Sequence, residues 1–407
     1  MRYPVFAAAI AASALASCSG GGTTTGGGTV VAASVTPTPT PAVVTPTPTP
    51  TPTSAVTIVT TLDLAALASY APVLPAYYDA TVSGDDNTPA GTALDNRIAT
   101  LGRVLFYDRR LSTNDTISCS SCHQQASGFT DPRRFSTGVN GAAFTTAHSM
   151  RLGNVRYWRP ASMFWDRRAA TLEAQASGPI TNPVEMGWDA GAGGVAALIT
   201  KMNGVAYYPE LFTFAFGSAT ITEARIQQAL AMFQRAMVST NSRWDTGYAA
   251  VFGAALPNRG VNLDLANFTA QENRGRALFF AAPNAPGGGG GCSACHQAPT
   301  FGLDQNSRSN GLDAGETILF KSPSLKNAGL TGPYMHDGRF ATLAAVIEHY
   351  DSGVLNGPAL DNRLRPGGVP IRLNLSAADK AALVAFLLTL NDPTLTTDVK
   401  FSTPFRP

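Results

Sequence analysis

An excess of charge of either sign is missing from this chain. Its 29 basic and 27 acidic residues leave a net +2, and there is no long basic run. Without that electrostatic footprint, nucleic acid is excluded as a partner. Strand-type alternation of apolar and polar residues is nearly absent, so the fold class is mainly α. The first apolar run, Ala7 to Ala16, is too short to span a bilayer. Cysteine and histidine are scarce, five of each in 407 residues, so every one of them needs an explanation. A hydrophobic content of 44% is enough to build two cores without disulfides.

The front of the chain is not globular. Met1-Arg2, the apolar run and Leu15-Ala16-Ser17-Cys18 read as a signal peptide over residues 1–18, ending in a lipobox whose Cys18 would carry lipid. An ordinary signal peptide cut nearby is the alternative. The expectation is a periplasmic protein attached to a membrane only through that lipid, with Ser19 pointing to the outer membrane. Residues 19–60 are rich in Gly, Thr and Pro, with Thr-Pro repeats from Thr36 to Thr53, and read as a disordered tether. In polyproline II geometry the repeat would hold the body roughly 55 Å from its anchor.

The remaining four cysteines fall into two pentads, Cys119-Ser120-Ser121-Cys122-His123 and Cys292-Ser293-Ala294-Cys295-His296. Two sulfurs three positions apart can form thioethers to the two vinyl groups of a haem, and the next histidine can bind its iron. A zinc site would need four donors in one place, and neither pentad has a second pair beside it. Two covalently bound c-type haems are therefore expected.

Helical periodicity dominates the body. Ile98, Leu101 and Leu105 share one face, and Ile226, Leu230, Phe233 and Met237 share another after Thr220-x-x-Glu223. Thr269-x-x-Glu272 opens a helix running through Leu278, and Ser376-x-x-Asp379 opens one carrying Leu383, Phe386, Leu387 and Leu390. A Gly-Arg helix precedes each pentad, at Gly102-Arg103 and Gly275-Arg276. This weak repeat predicts two cytochrome c-like domains, residues 61–243 and 244–407.

With these motifs on view, residues from about Leu94 to Leu390 resemble the bacterial di-haem cytochrome c peroxidase and MauG family. The resemblance rests on Leu101-Gly102-Arg103-Val104-Leu105-Phe106-Tyr107-Asp108, Phe164-Trp165-Asp166-Arg167-Arg168, Leu172-Glu173-Ala174-Gln175, Pro183-Val184-Glu185-Met186 and Leu330-Thr331-Gly332-Pro333-Tyr334-Met335-His336-Asp337-Gly338. It implies peroxide chemistry at the first haem and electron transfer or storage at the second. Trp165, which alone would read as a core aromatic, matches the family's relay between the haems. Gln175 and Glu185 match its distal pair, Glu185 as the base and Gln175 as the orienting group. Arg167 stands where the family commonly has glycine.

The family's second histidine after the first pentad is missing from Gly138-Val139-Asn140-Gly141, so the haem on His123 is expected to be open. His148 is the alternative ligand, but it matches an asparagine of the family's calcium site. Thr331 and Pro333 match the two carbonyl donors of that site, leaving one calcium ion as a further expectation. Fourteen positions after His336, where peroxidases of the family carry methionine, stands Tyr350, as in the MauG subgroup. Leu343, Val346, Ile347 and Tyr350 share a helical face, and His349 lies off it. Tyr350 is thus the expected second ligand of the His296 haem, with Met335 the lesser candidate and His336 a neighbour rather than a ligand. Such a haem would be hard to reduce and able to share oxidising equivalents. The implied partners are hydrogen peroxide and either a small cytochrome c or copper-protein donor or an oxidisable protein. A plain peroxide scavenger and a non-catalytic di-haem electron carrier are the alternatives.

Overall fold

Two glycines govern how the helices pair. In the computed structural model, α1 (Asn96–Tyr107) crosses α2 (Glu223–Arg235), and a Cβ at Gly102 would overlap the carbonyl oxygen of Ala229. Further along, α3 (Ala270–Phe280) crosses α4 (Ala377–Leu388), and a Cβ at Gly275 would overlap the carbonyl oxygen of Ala382. Only a residue without a side chain permits this approach. The neighbouring arginines are buried and also repeat. Arg103 donates to the carbonyls of Ser402 and Val399, both at 2.7 Å, and Arg276 to the Val261 carbonyl and the Asp264 carboxylate, both at 2.7 Å.

The structure describes residues 21–22, 25–28, 54–158, 162–321 and 323–407, with the Leu303 side chain left aside. The expected signal peptide, Cys18 and the expected tether up to residue 53, apart from a few glycine-rich positions, lie outside the described residues. The expected tether to residue 60 ends too late. Ala55–Val59 is a helix capped by Ser54, its Val56 is fully buried, and Thr60 bridges to Phe405. Buried apolar contact at Val56 outweighs the flanking Thr-rich composition.

Residues 52–407 form one compact unit containing two principal hydrophobic cores. Leu101, Val104 and Phe106 of α1 and Leu230 and Phe233 of α2 centre the first. Leu278 and Phe279 of α3 and Leu383 and Phe386 of α4 centre the second, with Trp244 and Tyr248. The cores do not follow chain order: Leu395 and Phe401 join the first, and Tyr77 joins the second. Among the described residues the named sheet is a single two-stranded pairing, β1 (His296–Gln297) with β2 (Gly302–Leu303). No described helix is long and apolar enough to cross a membrane.

The capping signals are realised at Thr269, a capping box with Glu272, and at Ser376, which accepts from the Asp379 N–H. The second helix starts differently: Thr222, not Thr220, is its cap and accepts from the Arg225 N–H. Met237 lies just beyond that helix but is fully buried.

Candidate functional site

The first pentad forms a one-turn helix, Cys119–Cys122, with a capping box between Ser118 and Ser121. His123 follows, and its Nδ1 lies 2.9 Å from the Phe129 carbonyl oxygen. Because a carbonyl only accepts, Nδ1 carries the proton and Nε2 keeps its lone pair. Burial holds this imidazole below its usual pKa, in the neutral form that binds a metal. Cys119, Cys122 and His123 line a cavity of about 480 Å³. In the second pentad, Cys292, Cys295 and His296 line one of about 960 Å³. Burial and then the nearby Arg151 push His296 down to about 4, and its buried Nδ1 has no hydrogen-bond partner among the described residues.

Six residues border both cavities: Arg151, Trp165, Phe320, Lys321, Pro323 and His336. The Trp165 indole N–H donates to the His148 carbonyl at 2.7 Å, and the Trp165 carbonyl accepts the Lys321 N–H at 2.7 Å. His336 stacks on Phe320 with centroids 4.1 Å apart and meets Trp165 edge-on at 6.4 Å. The Trp165 loop turns through left-handed backbone at Phe164 and Arg167, φ 68° and 61°. This accounts for the family's glycine at Arg167. Here an arginine takes the conformation, and its Nη2 holds the loop to the carbonyls of Ser307 and Phe320 at 2.7 and 3.0 Å.

Lys321, which is buried, and Arg151, which is half-buried, are cations of this seam. Arg151 donates to the Ser324 and Pro323 carbonyls and to the Thr331 hydroxyl, and burial lowers it to about 10. The Lys321 Nζ lies 3.0 Å from Met163 Sδ and 4.5 Å from the Trp158 ring centre, and burial drives its pKa well down. Neither forms an ion pair with a carboxylate among the described residues. A buried cation is costly unless an anion accompanies it. Two haems, each bringing two carboxylates, fit this demand, and they fit the four free thiols, the two neutral imidazoles and the cavity sizes. Lys321 and Arg151 were missed in the sequence because no motif marks a cation whose partner is a cofactor.

Gln175 and Glu185 both face the first cavity. Gln175 lies on the helix Leu172–Thr181, capped by Thr171. The loop after that helix carries Glu185. It is held by the Val139 N–H on the Val184 carbonyl (2.8 Å), the Thr113 N–H on the Met186 carbonyl (3.0 Å) and the Trp188 indole on the Leu111 carbonyl (2.8 Å). Burial raises the Glu185 pKa against a weaker opposing pull from Arg168, and its carboxylate has no hydrogen-bond partner among the described residues. Met150, which no motif included, and Met186, to which no role was given, also line this cavity. His148 borders it too, but its Nδ1 faces the Arg134 carbonyl at 3.2 Å and its Nε2 the Thr130 hydroxyl at 3.3 Å.

In the second cavity, Leu343, Val346, Ile347 and Tyr350 line the wall, and His349 does not. The helix Leu343–Glu348 ends in a wider turn, His349–Gly353, which brings Tyr350 inward. Burial pushes the Tyr350 phenol up to about 12. His349 is buried elsewhere, its Nε2 3.1 Å from the Asn310 carbonyl. Met335 also lines this cavity.

The model for the family described as di-haem cytochrome c peroxidase matches residues 96–250. Methylamine utilization protein MauG of Methylophilus methylotrophus is 31% identical over 332 residues, covering 78% of this chain and 88% of that one. Cytochrome c551 peroxidase of Nitrosomonas europaea is 31% identical over 274 residues, covering 62% and 72%. Among solved structures, a MauG-like protein associated with microbial copper homeostasis aligns with TM-score 0.63 and 30% identity, covering 83% of this chain and 98% of that one. A diheme peroxidase from Burkholderia thailandensis, at 22% identity, TM-score 0.58 and coverage of 79% and 93%, shares the fold. With both pentads seated in cofactor-sized cavities and relatives of this extent, the chain belongs to the di-haem cytochrome c peroxidase and MauG family.

Proposed function

We propose that the chain activates hydrogen peroxide in the cavity of His123 and draws electrons through the cavity of His296, with Glu185 as the proton-transfer group. When bound, the two haems supply an iron that accepts peroxide and a second iron that carries electrons. The observation that carries the assignment is the Glu185 carboxylate in the first cavity, without a hydrogen-bond partner among the described residues and with its pKa raised by burial. Such a carboxylate can take a proton from one peroxide oxygen and return it to the other, which leaves as water. Gln175 on the same wall orients the peroxide. Trp165, bordering both cavities, would be the relay, and Tyr350, on the wall of the His296 cavity, would hold the second iron together with His296. Glu185→Gln is expected to abolish peroxide turnover with both haems still attached; normal turnover in that variant would sink the mechanism.

The inward phenol of Tyr350 favours the MauG subgroup over a plain scavenger, because a phenolate stabilises oxidised iron. Electrons then come from a small cytochrome c, a copper protein or an oxidisable protein partner. We divide the chain functionally near residue 243, the first part serving peroxide and the second electron transfer. A single calcium ion would take the carbonyls of Thr331 and Pro333; Arg151, 3.3 Å from the Thr331 hydroxyl, opposes it, so binding should be weak. Lipid attachment at Cys18 in the periplasm, at the outer membrane, completes the reading, and the mass of the mature N-terminus tests it.

A further inference from the structure

Two donor atoms of different chemistry share one amide in the second cavity. The Asn310 Nδ2 lies 3.4 Å from the Tyr350 hydroxyl oxygen and 3.3 Å from Met335 Sδ. All three residues line the cavity that holds His296. Asn310 is itself tied down, since its carbonyl oxygen is 3.1 Å from His349 Nε2 on the turn that carries Tyr350. Met335 is held at φ 75°, in left-handed backbone, which sets the direction of its side chain.

We propose that Asn310 is the positioning residue that selects the axial donor of the second haem, favouring the Tyr350 oxygen over Met335, which stands as the competing donor. The inference rests on the reading of Tyr350 as ligand and adds what enforces it. A phenolate oxygen bound to iron still has lone pairs and negative charge, so an amide N–H facing it makes a charge-assisted hydrogen bond. A thioether sulfur is a weak acceptor and gains little from the same N–H. The amide therefore stabilises the phenolate-bound arrangement more than the sulfur-bound one. Hard phenolate and soft thioether also set opposite reduction behaviour, methionine favouring the reduced iron. Exchanging one for the other would change the character of this haem.

The test compares the ferric di-haem holoprotein with Asn310→Leu, Met335→Leu and the double variant. Resonance Raman phenolate vibrations and the near-infrared sulfur-to-iron band are the readouts. The native protein and Met335→Leu are expected to show phenolate and no sulfur band. Asn310→Leu, close in size but without the donor, is expected to lose most phenolate intensity and gain the sulfur band, which the double variant then loses. Unchanged phenolate intensity in Asn310→Leu overturns the selector role, and a lost phenolate with no sulfur band overturns the role of Met335. Absence of phenolate from the native protein would instead overturn the reading of Tyr350. Should Asn310→Leu fail to retain haem, Asn310→Ala removes the same donor without adding bulk or charge, and the same outcomes apply.

Discussion

The indole N–H of Trp165 is bonded to the carbonyl of His148 at 2.7 Å, on the seam shared by the two cavities. This contact fixes the ring, and His336 and Phe320 continue the aromatic packing beside it. Trp165→Phe keeps the packing but loses the N–H and the more easily oxidised ring. Electron delivery from the second haem to the first should slow by at least about tenfold, roughly 1.4 kcal/mol of barrier, with both haems retained. Stopped-flow absorbance after peroxide addition reads this directly, and an unchanged rate would remove the relay.

Glu185 must be ionised to accept a proton, and burial raises its pKa. The active fraction therefore grows as pH rises through that raised pKa, giving an acid limb displaced upward from the ordinary glutamate range. In Glu185→Gln the turnover rate should fall by about 10²- to 10⁴-fold and the limb should vanish. A pH–rate profile of the two proteins at saturating donor checks both points.

At the helix crossings, Gly102→Ala and Gly275→Ala would each press a methyl group against a backbone carbonyl, of Ala229 and Ala382 respectively. Each should cost about 1–3 kcal/mol of stability, from forced separation of a packed helix pair. Chemical denaturation of the holoprotein measures it, and a neutral result at either site would contradict the packing described.

Lys321 and Arg151 should find their counter-ions in the haem carboxylates. If so, Lys321→Met leaves a buried anion unpaired and destabilises the holoprotein by about 3–5 kcal/mol. A stabilised variant would mean that Lys321 is a lone buried cation even when the haems are bound.

Chelation should leave the absorption spectra of both haems unchanged, because Arg151 already places a cation beside Thr331 and no carboxylate is assigned to the site. A spectral shift on chelation, reversed by added calcium, would establish a tighter site than this reading allows.

The two pentads were legible as candidate haem attachment points because the C-x-x-C-H spacing carries that chemistry, and each lines a cavity of cofactor size. Helices with regular apolar spacing and strong caps, such as those begun by Thr269 and Ser376, were legible for the same local reason. The start at Thr222 was not, since Thr220 presents the same side chain and only the folded backbone decides which threonine caps the helix. Tyr350 was placed on the inward face by helical periodicity, although the turn that carries it is wider than an α-helix.

By itself, the order of residues determined the helical class and pointed to the candidates for covalent haem attachment and for acid–base and relay roles, all of which depend on residue type and short spacing. Tertiary structure alone decided what meets across the chain. It put Lys321 and Arg151 on the seam between the cavities, let Arg167 take a left-handed turn by anchoring it to Ser307 and Phe320, and set Tyr350 and Met335 on the one amide of Asn310. These residues lie far apart in sequence and carry no local pattern, so only the burial and geometry of the folded chain could bring them together.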